Sequence, residues 1–134
     1  MVEINNQTKN KIDVELIARV ASKFLEKHKK SKYGLSIAFI GDKAMTVLNT
    51  AYRGKKKPTD VLSFEGEGKF LGEIVIDYSQ IKRQAKAAGK TIKDELIFIL
   101  VHGLLHLIGY DDEFEEDRLG MMKLGEDFIK KSKF

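Results

Sequence analysis

Val14, Ile17, Ala18, Ala21, Phe24, Leu25 and His28 recur at helical spacing, which predicts an amphipathic first helix beginning after Asp13. Leu35 to Ile40 is a short, strongly apolar strand candidate. Gly41-Asp42 then offers a turn and an N-cap for a helix through Met45, Leu48 and Tyr52 that ends near Gly54. After Pro58, the only proline, Val61-Leu62-Ser63-Phe64 reads as a strand, and a Gly-rich connection leads to a second from Leu71 to Ile76. These two are expected to pair. Ile81, Ala85 and Ala88 mark a helix stopped by Gly89, and Thr91 with Asp94 three residues on resembles the start signal of the next. The last segment opens with Glu113, Glu115, Glu116 and Asp117 and closes with Lys130, Lys131 and Lys133, a charge order that suits a helix dipole. Met121, Met122, Phe128 and Ile129 give it an apolar face, with the methionines read as core filler. The order of elements predicts an α+β sandwich, a small mixed sheet of about four strands packed by about five helices.

Composition narrows the chemistry. With 134 residues the chain has the size of one domain, residues 1–134, with a core that needs no staples. It has no cysteine, so a disulfide framework, a cysteine nucleophile and a thiolate metal site are excluded, and any metal must rest on His, Asp or Glu. The polar N-terminus, Met1 to Lys11, lacks the apolar stretch of a secretory signal, and the expected location is the cytoplasm. Leu96 to Ile108, the longest apolar stretch, falls short of the ~20 residues of a membrane span and carries two histidines. It is expected to be a buried helix. The net charge is +4, with cations clustered at Lys27-His28-Lys29-Lys30-Ser31-Lys32 and at Arg53-Gly54-Lys55-Lys56-Lys57. Such clusters suit a polyanion and equally suit an ordinary solvated face.

The chemistry concentrates in the apolar helix. His102 and His106 stand four apart on one helical face, so both can direct a ring nitrogen at one ion. Gly109 ends the helix and lets the chain turn back, placing Asp111 or Asp112 where a carboxylate could complete a three-ligand site. A pair of core histidines satisfied by hydrogen bonds is the alternative. Leu100, Val101, Leu104, Leu105, Leu107 and Ile108 surround the pair, and burying two imidazoles there without partners would cost a few kcal/mol, which a shared metal avoids. His28, near a helix C-terminus among lysines, is expected on the surface. The spacing is zincin-like, because His102, His106, Gly109 and Asp112 fall on the positions of the H-E-x-x-H-x-x-G-x-x-H peptidases. Their general base follows the first histidine directly. Here that position is Gly103, which cannot move a proton.

The run His102-Gly103-Leu104-Leu105-His106-Leu107-Ile108-Gly109-Tyr110-Asp111 resembles the metal motif of the YbeY endoribonucleases, bacterial factors of ribosomal RNA maturation. Upstream, Leu48-Asn49, Tyr52-Arg53, Pro58-Thr59-Asp60-Val61-Leu62-Ser63-Phe64 and Leu71-Gly72-Glu73-Ile74-Val75-Ile76 resemble further blocks of that family in the same order. The resemblance implies a metal-dependent endoribonuclease specific for single strands, acting in 3′-end processing of small-subunit ribosomal RNA and in ribosome quality control. It implies one divalent ion per chain, zinc first, and partners among ribosomal RNA, the small subunit, its proteins or other nucleases. It makes Arg53 the catalytic arginine and His102 and His106 metal ligands, and Asp112 is expected to be the third, since a shell of two histidines and one carboxylate is common for open zinc and iron sites. Asp112 stands where the family pattern has a third histidine, and a carboxylate there lowers the charge of the site by one unit and admits harder metals. Asp60, Ser63 and Glu73 are assigned no chemistry, and Tyr52 and Phe64, which could stack on bases, are read as core. Two other classes stay open, a non-catalytic ribosome-assembly factor with a structural metal and a zincin-like hydrolase or peptidase.

Overall fold

The computed structural model describes residues 1–134 and contains five helices and one four-stranded sheet. The elements run β1 (Val2–Asn6), α1 (Val14–Lys27), β2 (Gly34–Ile40), α2 (Asp42–Arg53), β3 (Val61–Glu65), β4 (Phe70–Asp77), α3 (Tyr78–Ala88), α4 (Ile92–Leu107) and α5 (Glu115–Ser132). The sheet is mixed, in the order β1-β2-β4-β3. β1, β2 and β4 are parallel, while β3 pairs antiparallel with β4 through Leu62 opposite Val75. The expected pairing of the two strands after Pro58 is present, and so is the α+β class.

Side chains alternate across the strands, and that alternation sorts the molecule into two cores. Leu35, Ile37 and Phe39 of β2 and Ile74 and Ile76 of β4 face the larger one, shared with Phe24 of α1, Ile81 of α3 and Phe128 of α5. Ile40, Leu62 and Val75 point the other way, under Met45 and Leu48 of α2. At the centre of the larger core lies α4, apolar on nearly all sides, as a helix enclosed by other elements must be. Leu100 and Leu104 are fully enclosed there, and truncating either to alanine would cost about 2–5 kcal/mol. The N-terminus of α4 is capped as its sequence predicts, with the Thr91 hydroxyl accepting from the Asp94 amide at 3.0 Å.

Three local readings are corrected. Val2–Asn6, read only as a polar N-terminus, forms the edge strand β1, paired with β2 from Val2 opposite Leu35. Gly41 rather than Asp42 is the N-cap of α2 and offers no side-chain cap; Asp42 opens the helix and turns to Arg83, 2.7 Å away. Helix α5 starts at Glu115, because Glu113 belongs to the preceding turn, where its amide donates to Asp111 Oδ1 at 3.0 Å.

One buried acid lies behind α2. Asp77 Oδ1 caps α3 by accepting from the Gln80 amide, while Oδ2 is enclosed without a hydrogen-bond partner. Burial, reinforced by the nearby Asp42 carboxylate, pushes the Asp77 carboxyl up to about 7. Hydrogen bonding from Arg83 holds Asp42 down at about 2. The Asp77 amide also donates to the Asp60 carbonyl at 3.0 Å, tying the end of β4 to the residue that precedes β3.

Candidate metal centre

His102 and His106 project from the last two turns of α4 into a cleft of about 830 Å³. Their Nε2 atoms are 3.2 Å apart, and Asp112 Oδ2 lies 3.4 Å from each. The helix end explains how the carboxylate arrives. Gly109, at φ +107, follows the C-cap; its amide donates to His106 O and the Tyr110 amide to Leu105 O, both at 3.1 Å. This paired closure in the left-handed region reverses the chain and carries Asp112 back beside the histidines.

The triad can be tested for fit to an ion from its own distances. Ligand bonds of about 2.0–2.1 Å in a tetrahedral shell set ligand atoms about 3.3–3.4 Å apart, which the 3.2 and 3.4 Å separations match. Burial, with a smaller contribution from His106, pushes the His102 imidazole below the usual histidine range, while Asp112 and Asp60 oppose the shift. A neutral ring has its lone pair free for a metal. All three side chains remain partly open to solvent, so an ion held here would keep a position for water or substrate.

The structure brings His102, His106 and Asp112 together, and Asp111 takes the adjacent turn with Oδ1 engaged by the Glu113 amide. Arg53, exposed at the C-terminus of α2, lines the same cleft. Lys55, Lys56 and Lys57 follow it on an exposed loop, and buried Asn49 holds that loop by donating to the Lys57 carbonyl at 2.8 Å. The Lys27–Lys32 cluster does not line the cleft, although Lys30 lines a smaller hollow behind Gly109. His28 is half-buried against Phe24, with ring centroids 4.4 Å apart, so the surface position expected for it is only partial.

Other sequence readings shift. Tyr52 is not core; it is 66% exposed and touches Phe64 edge-on, with centroids 4.9 Å apart. Met122 faces the cleft while Met121 is buried. Asp60 lines the cleft with its carboxylate fixed by the Val61 amide at 2.7 Å and Gln84 Nε2 at 3.2 Å. Arg118 of α5 joins the lining as well. Nothing in local sequence marks Arg118 or Met122, because the fold of α5 over the cleft puts them there.

Gly103 has a packing reason. A Cβ at this position would stand 3.2 Å from Val61 Cγ2 and 3.3 Å from both Ile74 Cγ2 and Ser63 Oγ. The close approach also lets the Ser63 hydroxyl donate to the Gly103 carbonyl at 3.1 Å. The peptidase position is thus pressed against the sheet.

A mixed sheet backed by a buried helix, with two histidines and a returning carboxylate in a cleft that an arginine borders, defines a class: small α+β proteins with an open site able to hold a metal ion. The family model described as Endoribonuclease YbeY matches residues 3–133. The chain is 39% identical over 130 residues to the Endoribonuclease YbeY of Petrotoga mobilis, covering 94% of this chain and 90% of that one. It is 38% identical over 119 residues to the Endoribonuclease YbeY of Halalkalibacterium halodurans, covering 78% and 75%. A solution structure of TM1509 from Thermotoga maritima superposes with a TM-score of 0.65 at 25% identity, over 99% of this chain and 92% of that one. The chain belongs to the YbeY family.

Proposed function

We propose that this chain is a metal-dependent endoribonuclease that cuts single-stranded RNA, acting in the cytoplasm on small-subunit ribosomal RNA during 3′-end maturation and in ribosome quality control. The reading treats residues 1–134 as one catalytic domain and zinc as the resident ion. Family membership supports the reaction class, since the relatives carry the name endoribonuclease. No helix is long and apolar enough to cross a membrane. The observation that carries the proposal is that the His102–His106–Asp112 triad and Arg53 line one cleft.

In this reading the Nε2 atoms of His102 and His106 and the Asp112 carboxylate hold the ion. When bound, the ion would supply Lewis-acid chemistry at the scissile phosphate. Arg53 grips the phosphodiester through two parallel N–H donors and stabilises charge that develops on its oxygens. Lys55, Lys56 and Lys57 hold the flanking phosphates. Two neutral imidazoles and one carboxylate leave the shell one unit less positive than three imidazoles would, which suits zinc and tolerates harder divalent ions. Gly103 offers no base for peptide hydrolysis, and the peptidase alternative has no support in the geometry.

The test is cleavage of an end-labelled RNA with single-stranded segments by identically purified wild type, His106→Ala and Arg53→Ala, with and without a chelator. Activity lost on chelation and in both variants is the expected result. Equal activity in all three would expose a contaminating nuclease. A metal-loaded but inert wild type would overturn the catalytic reading.

A further inference from the structure

Tyr52 is the one aromatic residue that combines an open ring with a cationic setting beside the cleft. Its ring is 66% exposed, braced edge-on by Phe64 at an interplanar angle of 66°. The next residue is Arg53, which lines the cleft, and Lys55, Lys56 and Lys57 follow within one short loop that Asn49 holds in place. Phe114 is equally exposed, at 66%, but stands within the acidic run Asp111 to Asp117, where a polyanion is repelled, and Tyr110, 41% open, lines the cleft directly before that run, with no cation next to it in the chain. Phe70, 45% exposed, folds back over Gly66 at the turn between β3 and β4.

We propose that Tyr52 is a stacking platform that seats one unpaired nucleobase of the RNA substrate, next to the phosphate gripped by Arg53. The proposal rests on the endoribonuclease reading above and adds to it a reason for single-strand preference. An open aromatic face can stack any base, because every base has a π-face, but a base engaged in a duplex cannot leave its own stack to reach it without unpairing. Phe64 at the ring's edge fixes its orientation, so little side-chain freedom is lost when a base docks. The neighbouring cations supply the charge complementarity that commits this surface to nucleic acid rather than to an apolar protein partner.

The chain has no tryptophan, so Tyr52→Trp introduces a single indole at the proposed platform. Rapid mixing of the metal-loaded variant with a short single-stranded RNA reads binding before turnover. The expected result is saturable quenching of that indole by the single strand and none by the same strand annealed to its complement. In parallel, fluorescence anisotropy of labelled RNA measures affinity for wild type, Tyr52→Phe and Tyr52→Ala. Tyr52→Ala should bind about fivefold to a hundredfold more weakly, whereas Tyr52→Phe keeps the ring and should bind as wild type does. Circular dichroism melts confirm that the variants are folded, as an exposed position allows. If wild type binds RNA but Tyr52→Ala binds equally well, or the indole is not quenched while RNA is bound, the platform is overturned and the nuclease reading stands. If wild type binds no RNA at all, both fall.

Discussion

Two segments of opposite charge flank the cleft, a basic one that follows Arg53 and an acidic one around Asp112, and they do different work. On one side Arg53, Lys55, Lys56 and Lys57 lie exposed, and none of them enters an ion pair within the protein. On the other, Asp111, Asp112, Glu113, Glu115, Glu116 and Asp117 crowd seven residues of chain. Five of the six acids have local employment. Asp112 turns to the histidines, Asp111 closes the turn, and the last three lie in the first turn of α5, where a helix N-terminus favours negative charge. The cations have none, so their charge remains available to a ligand. A single polyanion can approach the basic rim and is repelled by the other, which gives the cleft a direction of entry.

Replacing Asp112 by alanine should break the asymmetry most. Loss of a proposed ligand is expected to weaken metal affinity by at least about 100-fold, beyond the ~10–100-fold attached to outer-shell partners. Competition with a chromophoric chelator measures it, and Arg53→Ala should leave affinity for the metal unchanged. Converting Lys55, Lys56 and Lys57 together to glutamine should flatten the dependence of log affinity on log salt by about 0.7 per lost phosphate contact, about 2 for all three. An unaltered slope in a salt titration would remove these lysines from the RNA path. Neutralising the far rim with Glu113→Gln and Glu116→Gln should tighten RNA binding only a few-fold at low salt, and the gain should vanish at about 1 M, where the screening length is ~3 Å.

A separate prediction, on stability rather than binding, concerns what lies behind the basic rim. Asp77 titrates near 3.8 unfolded and at about 7 folded, so between these values the folded state binds more protons and stability falls as pH rises. The contribution is complete below pH 3.8 and lost through about 7. Asp77→Asn can still cap α3 and carries no charge, so its stability should lose this decline, as urea midpoints measured from pH 4 to pH 8 would report. An identical pH profile in both proteins would mean that Asp77 ionises freely in the fold.

Periodicity read most of the fold because the buried faces are long. α1, β2, β4 and the apolar α4 each commit several residues to one core, and such patterns survive in the sequence. β1 escaped because it is an edge strand in which only Val2 and Ile4 are even partly covered; its partner β2 supplies the order that Val2–Asn6 lacks. The pairing of His102 with His106 was legible from helix geometry, and the reversal at Gly109 from the residue itself. The choice between Asp111 and Asp112 was not, since it depends on which of two adjacent carboxylates the turn consumes. Tyr52 was misread for a similar reason. Its spacing from Leu48 is that of a buried face, but the small core takes only Met45 and Leu48 from α2, and the ring of Tyr52 meets Phe64 edge-on and stays exposed.

Gly103 sets a boundary on what this scaffold can be turned into. A peptidase would need a carboxylate beside the first histidine, and the volume for one is already taken by Val61, Ser63 and Ile74 on two neighbouring strands. Gly103→Glu would therefore lever α4 off the sheet before it created a base. To a protein engineer, the route from nuclease to protease here is a redesign of a helix–sheet interface rather than a point change, and any new proton acceptor would have to be installed on the opposite wall of the cleft.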